Sequence, residues 1–87
     1  MIFGGHDTWL KAIKPMLHGS VRYVGREQNF DKALLRNIDA IWIQPNAIAH
    51  KQYYRVINAA RVYGKRVNYF QNASASKCVT QIAESEI

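Results

Sequence analysis

Apolar residues follow two alternating rhythms along this chain: short β-like runs, then longer stretches in which they recur every three or four positions. The first run, Met1 to Gly4, predicts a strand. A helix then opens with Asp7 as N-cap and places Trp9 or Leu10, Ile13 and Leu17 on one face. Pro15 is expected to kink it or restart its last turn, and Gly19 to close it. Ser20 to Val24 reads as a second strand with a turn through Gly25. A short helix follows over Asp31 to Arg36, with Asn37 as a left-handed stop. The run from Ile38 to Gln44 is nearly all apolar and rich in β-branched residues, as in a central strand buried on both faces.

Pro45 and Asn46 end that strand and open the longest helix, Ile48 to Tyr63. Its inner stripe is Tyr53, Val56 or Ile57, Ala60 and Tyr63, and Gly64 stops it. Arg66 to Phe70 is the fourth strand. Ser74 or Ser76 caps a last helix with Cys78, Val79, Ile82 and Ala83 facing inward. Strands and helices alternating through short loops imply a parallel sheet with right-handed crossovers. The expected fold is one α/β domain over residues 1–87, Rossmann-like or flavodoxin-like, with strand order 2-1-3-4 and helices on both faces.

That topology locates the chemistry. Ligands of such sheets bind outside the carboxyl ends of the strands, where the order reverses between strands one and three. Strand one delivers Gly4, Gly5, His6 and Asp7 to this edge, and strand two delivers Gly25 and Arg26. Strand three delivers Gln44 and Asn46, with His50 one turn further on; strand four delivers Gln71, Asn72, Ser74 and Ser76. A glycine pair at a strand-to-helix turn lets the backbone approach a ligand, and the helix N-terminus behind it favours an anion. A Gly5→Val replacement is accordingly expected to block the ligand while leaving the chain folded. For Asn46, helix capping is the simpler reading. His6 and His50 both lie near helix N-termini, where an imidazole can donate to or accept from a ligand.

Other chemistry is thinly supported. A third glycine of the dinucleotide fingerprint is missing, and Gly25-Arg26 stands where an acidic residue would hold a ribose hydroxyl. No cofactor is expected. Zinc would need a third ligand such as Asp7 beside the histidines. Cys78 follows the inner stripe of its helix, Asp39 lies at the amino end of its strand, and Trp42 reads as core. Trp9 is either core or a platform over the pocket. Asp7 is thus the one carboxylate at the binding edge, too few for a carboxylate acid–base pair.

Composition adjusts this picture in three ways. With 87 residues and 48% hydrophobic content, the chain has one small core and apolar surface to spare, so self-association is expected. The net charge of +6 points to anionic partners. Lys51 and Arg55 share a helix face, with Arg61 beyond and Tyr53 and Tyr54 nearby. This is either a nucleic-acid footprint or a solvated face that keeps the protein soluble. A lone cysteine, no membrane-length apolar run and a strand beginning at Met1 suggest a soluble cytoplasmic protein with no signal peptide.

The chain also resembles a family of short Rossmann-like domains from bacteria and their phages, known only as a domain of unknown function. The shared features are Gly4-Gly5-His6 before Trp9-Leu10, Asn29-Phe30-Asp31 with Leu34-Leu35-Arg36, Asn46 and His50, Tyr53-Tyr54, and the strand at Tyr69. Ala49 departs from the serine usual before the second histidine, and Pro15 interrupts the first helix. The resemblance covers almost the whole chain and implies the fold and the site positions.

The expected function is a non-catalytic domain that recognises a phosphate-bearing small ligand, such as a nucleotide signal, for sensing or sequestration. One alternative is a nucleic-acid- or protein-binding module using Lys51, Arg55 and Arg61, for instance a phage-type blocker of a host factor. Another is a small hydrolase or phosphotransfer enzyme using the histidines. A homodimer through strand four, the last helix, or both is expected.

Overall fold

The computed structural model describes residues 1–26 and 28–85. Four short strands, β1 (Ile2–Phe3), β2 (Tyr23–Val24), β3 (Ile41–Ile43) and β4 (Val67–Tyr69), form one parallel sheet in the order β2-β1-β3-β4. The helices are α1 (Asp7–Ile13), α2 (His50–Val62) and α3 (Ala75–Ser85). The fold is therefore α/β with the expected strand order.

The period-2 pattern of the strands explains two cores. Phe3, Ile41 and Ile43 point to one face, where they meet Val56, Ala59 and Ala60 of α2 together with Phe30 and Leu35. Ile2 and Trp42 point to the other, where Trp9 and Ile13 of α1 and Ala75 and Cys78 of α3 cover them. Phe70 joins this second core, stacked on Trp42 at 4.9 Å and edge-on to Trp9 at 5.5 Å. Trp9 is thus core and not an open platform.

Several boundaries differ from the sequence reading. The strands span only two or three residues each. Strand two is cut short because the chain turns at His18–Val21, where the Val21 amide donates to the His18 carbonyl at 3.1 Å. His6, not Asp7, occupies the N-cap of α1, and its carbonyl accepts the first helical bond from Leu10. Pro15 does restart the helix, as a 3-10 turn over Lys14–Met16, but Leu17 ends it in extended conformation before Gly19. The Asp31 segment is a 3-10 helix, Lys32–Asn37, capped by the Asp31 carboxylate on the Ala33 amide. Asn37 is not left-handed; among the described residues only Gly4, Gly5 and Gly64 have positive φ. Gly64, at φ 64, is the stop expected after α2. Ala83 of α3 is exposed, while Val79 and Ile82 are half-buried against the core.

Candidate functional site

The carboxyl edge begins with two glycines whose conformation the chain itself requires. Gly4 (φ 87) and Gly5 (φ 100) lie where L-residues are strained. A Cβ on Gly4 would fall 2.8 Å from the Ala47 carbonyl oxygen, and one on Gly5 would fall 2.4 Å from Cε3 of Trp9. The Gly5 amide is taken by the Ala47 carbonyl at 2.8 Å. The glycines therefore serve close approach of the chain to its own indole ring and to the loop after β3. The expectation that Gly5→Val leaves the fold intact is corrected by this contact.

Beyond the glycines the chain brings His6 and Arg26 together. Arg26 Nη1 lies 3.2 Å from His6 Nδ1, joining the ends of β1 and β2. Both side chains are exposed, and with Asn46, Ala47, Ile48 and Ala49 they line a cleft of about 370 Å³. That size is in the range of small-ligand sites. The segment lining it is irregular because Pro45–Ala47 forms a separate 3-10 turn and α2 starts only at His50. Asn46 is consequently not the cap of α2. Its Nδ2 reaches Gln44 Oε1 at 3.4 Å, and the N-cap position belongs to Ala49, whose methyl group cannot accept a capping hydrogen bond.

The first turn of α2 has no acidic residue, and its leading amides have no intrahelical partner, so its end is positive. A second cleft of about 320 Å³, lined by Asn29, Ala49, Lys51, Gln52 and Arg55, adjoins the first through Ala49. Arg55 is clamped there: Nη1 donates to Asn29 Oδ1 at 2.8 Å, and the guanidinium lies 5.3 Å from the Phe30 ring. Buried Gln52 donates to the Gly25 carbonyl at 3.3 Å, holding the loop that presents Arg26.

The structure divides the expected set. His6, Arg26 and Asn46 meet in one cleft, whereas His50 is exposed at the start of α2 outside its lining. Asp7, exposed in the first turn of α1, is also outside it. Asn72 forms part of a separate cleft beside α3. Ser74 sits at the head of α3, where its carbonyl accepts from the Cys78 amide, and its hydroxyl bonds that of Ser76 at 3.1 Å. Arg61 is exposed near the far end of α2. The link between the two halves is Gln44, 2% exposed, whose Nε2 donates to the Asn72 carbonyl at 3.0 Å. A glutamine ending an apolar strand was a visible signal for this role. The Asn29–Arg55 clasp had no comparable signal, because it joins positions 26 residues apart.

Cys78 is fully buried, and burial pushes its thiol up despite the nearby Trp9 and Gln44 N–H groups. A thiol held protonated in this way is a weak nucleophile. Among the described residues no three His, Cys, Asp or Glu side chains group to hold a metal ion.

A larger cleft, about 520 Å³, opens at the opposite edge of the sheet, beside Leu17, His18, Arg22, Asp39 and Trp42. At this edge Asp39 adds a carboxylate to the lining, and His18 Nδ1 already bonds Ser20 Oγ at 2.8 Å. The cleft at His6 and Arg26 instead joins the ends of three strand loops to the positive end of a helix.

Fold and cleft together define a small doubly wound α/β domain with a basic pocket at its topological switch point. In comparison with known proteins, no family model, no curated protein and no solved structure matches the chain.

Proposed function

We propose that this domain binds a phosphate-bearing small ligand, a nucleotide or nucleotide signal, in the His6–Arg26–Asn46 cleft, and that it acts by sensing or sequestering it. The observation that carries the reading is the Arg26–His6 contact at 3.2 Å beside the uncapped start of α2. Guanidinium and imidazole supply donors matched to phosphate oxygens, and the half-buried Ile48 and Ala49 offer apolar contact to the rest of a ligand. His6 has no second histidine and no carboxylate beside it in the cleft lining, so no acid–base pair is assembled there, which favours binding over turnover.

The test is calorimetric titration with nucleoside mono- and diphosphates and cyclic dinucleotides, with unphosphorylated nucleosides as controls. Binding of a phosphorylated member, weakened about 10- to 100-fold in Arg26→Ala, is expected from the loss of a charged hydrogen bond. Equal responses to nucleosides and nucleotides, or none to either, refute the reading.

A further inference from the structure

The charge of this chain is segregated. Between Asp39 and Glu84 there is no carboxylate, and six of the twelve Lys and Arg lie there, so that stretch carries the whole +6. Its centre is α2, which contains Lys51, Arg55 and Arg61 and no acid. Surface helices ordinarily mix both signs. Lys51, Tyr54, Asn58 and Arg61, spaced three, four and three apart, are all exposed and form one outward stripe. Tyr54 is 60% exposed, a large aromatic ring between two cations. It is not a loose side chain. Tyr53 meets it edge-on at 5.5 Å, and the Tyr53 hydroxyl is held by that of Tyr69 at 3.0 Å. Behind the stripe, Val56, Ala59 and Ala60 anchor the helix in the core.

We infer that this stripe is a second binding surface, distinct from the cleft, and that its occupant is single-stranded nucleic acid. An aromatic face can stack a base only when the base is unpaired, and cations on either side along the helix meet the backbone that continues past it. From Lys51 to Arg61 the helix advances about 15 Å, long enough for a short run of nucleotides and longer than one phosphate group needs. An acidic polypeptide would satisfy Lys51 and Arg61 but would leave the Tyr54 face without a stacking partner. A duplex would present phosphates and no free base face.

The experiment is fluorescence anisotropy of labelled oligothymidylate across a salt series. Unlabelled duplex, polyglutamate and ADP serve as competitors. Two phosphate contacts predict that log K falls with log salt at a slope of about −1.4, and Lys51→Glu should reduce that slope by about 0.7. Tyr54→Ala should weaken binding about 5- to 150-fold, and Tyr54→Phe should restore it. Tyr54 is exposed on a helix, where alanine is well tolerated, so the variant stays folded; circular dichroism checks this. Competition by duplex or polyglutamate as effective as by unlabelled oligothymidylate overturns the inference in favour of plain charge attraction. So does binding indifferent to Tyr54→Ala. Displacement by ADP moves the strand into the cleft and overturns the separate surface. No oligothymidylate binding at low salt overturns it outright.

Discussion

Gly5 offers the sharpest test of how the carboxyl edge is built, because one methyl group there meets two separate penalties. The backbone at φ 100 strains any L-residue, at about 1–3 kcal/mol. The new Cβ also lands 2.4 Å from the Trp9 ring, and the ring is wedged against Phe70, so overpacking adds about 1–3 kcal/mol. Gly5→Ala should therefore lose about 2–6 kcal/mol. A chain of this length has only about 4–13 kcal/mol in total. With an m value of about 1 kcal/mol/M, the urea midpoint falls by about 2 M or more. Gly19→Ala is the control, since nothing lies within 4 Å of its Cβ position; it should change stability by less than about 0.5 kcal/mol. A cycle with Trp9→Leu, run in stabilising osmolyte so that every variant stays folded, separates the two penalties. Without the indole ring, Gly5→Ala should cost only the backbone strain, leaving a coupling of about 1–3 kcal/mol. A wild-type midpoint for Gly5→Ala, or an additive cycle, refutes the packing account and returns Gly5 to a ligand-facing role.

Three further outcomes are expected. The hydrogen bond from Tyr53, with burial and the Tyr53 charge adding to it, holds the Tyr69 hydroxyl up to about 12. Its contribution to stability is therefore complete below the ordinary tyrosine pKa of about 10 and is lost as pH rises through 12. Ultraviolet titration should show a transition near 12 that moves down in Tyr53→Phe, and an unmoved transition sinks the assignment. Because burial raises the Cys78 thiol, its stabilising effect is complete below the ordinary thiol range of about 8.5 and is lost as pH rises through its folded value. Thiol reagents at pH 8 should modify Cys78 only as fast as the fold opens, and rapid labelling of the folded protein contradicts this. Finally, β4 is a sheet edge and Tyr69 on it is 41% exposed, so sedimentation equilibrium at micromolar concentration should give twice the 10.0 kDa monomer mass. Tyr69→Lys should return it to monomer; a wild-type monomer refutes the dimer, and a dimer indifferent to the change moves the interface elsewhere.

The order of the sheet was legible because Ile41-Trp42-Ile43 is apolar on both faces and glycines or polar residues follow each strand. Those signals depend on burial, which the sequence carries directly. Helix starts were less legible. Asp7 and Asn46 are strong capping residues by type, yet His6 and Ala49 occupy the cap positions. The bonds that outweighed capping, Gly5 to Ala47 and Ala49 to Arg26, are between residues remote in sequence. The glycine pair shows the same limit. A close backbone approach was a fair inference from type and place, but the group approached, Trp9, depends on how α1 lies on the sheet. His6 and Arg26 were both assigned to the right edge; only the path of the β2 loop shows that they touch.

The segregated charge has a consequence for any pairing of two chains at the β4 edge. Lys65 and Arg66 immediately precede that strand, and Lys77 lies in the helix that follows it. Two copies joined there would bring like charge to like charge across the seam, with no carboxylate between positions 39 and 84 to offset it. Repulsion of this kind is softened by dissolved salt and removed by a bound polyanion. Association would strengthen as ionic strength rises, while capture of an anionic strand would weaken. The balance between pairing and capture would then follow the ionic composition of the surrounding solution, with no conformational change in the domain.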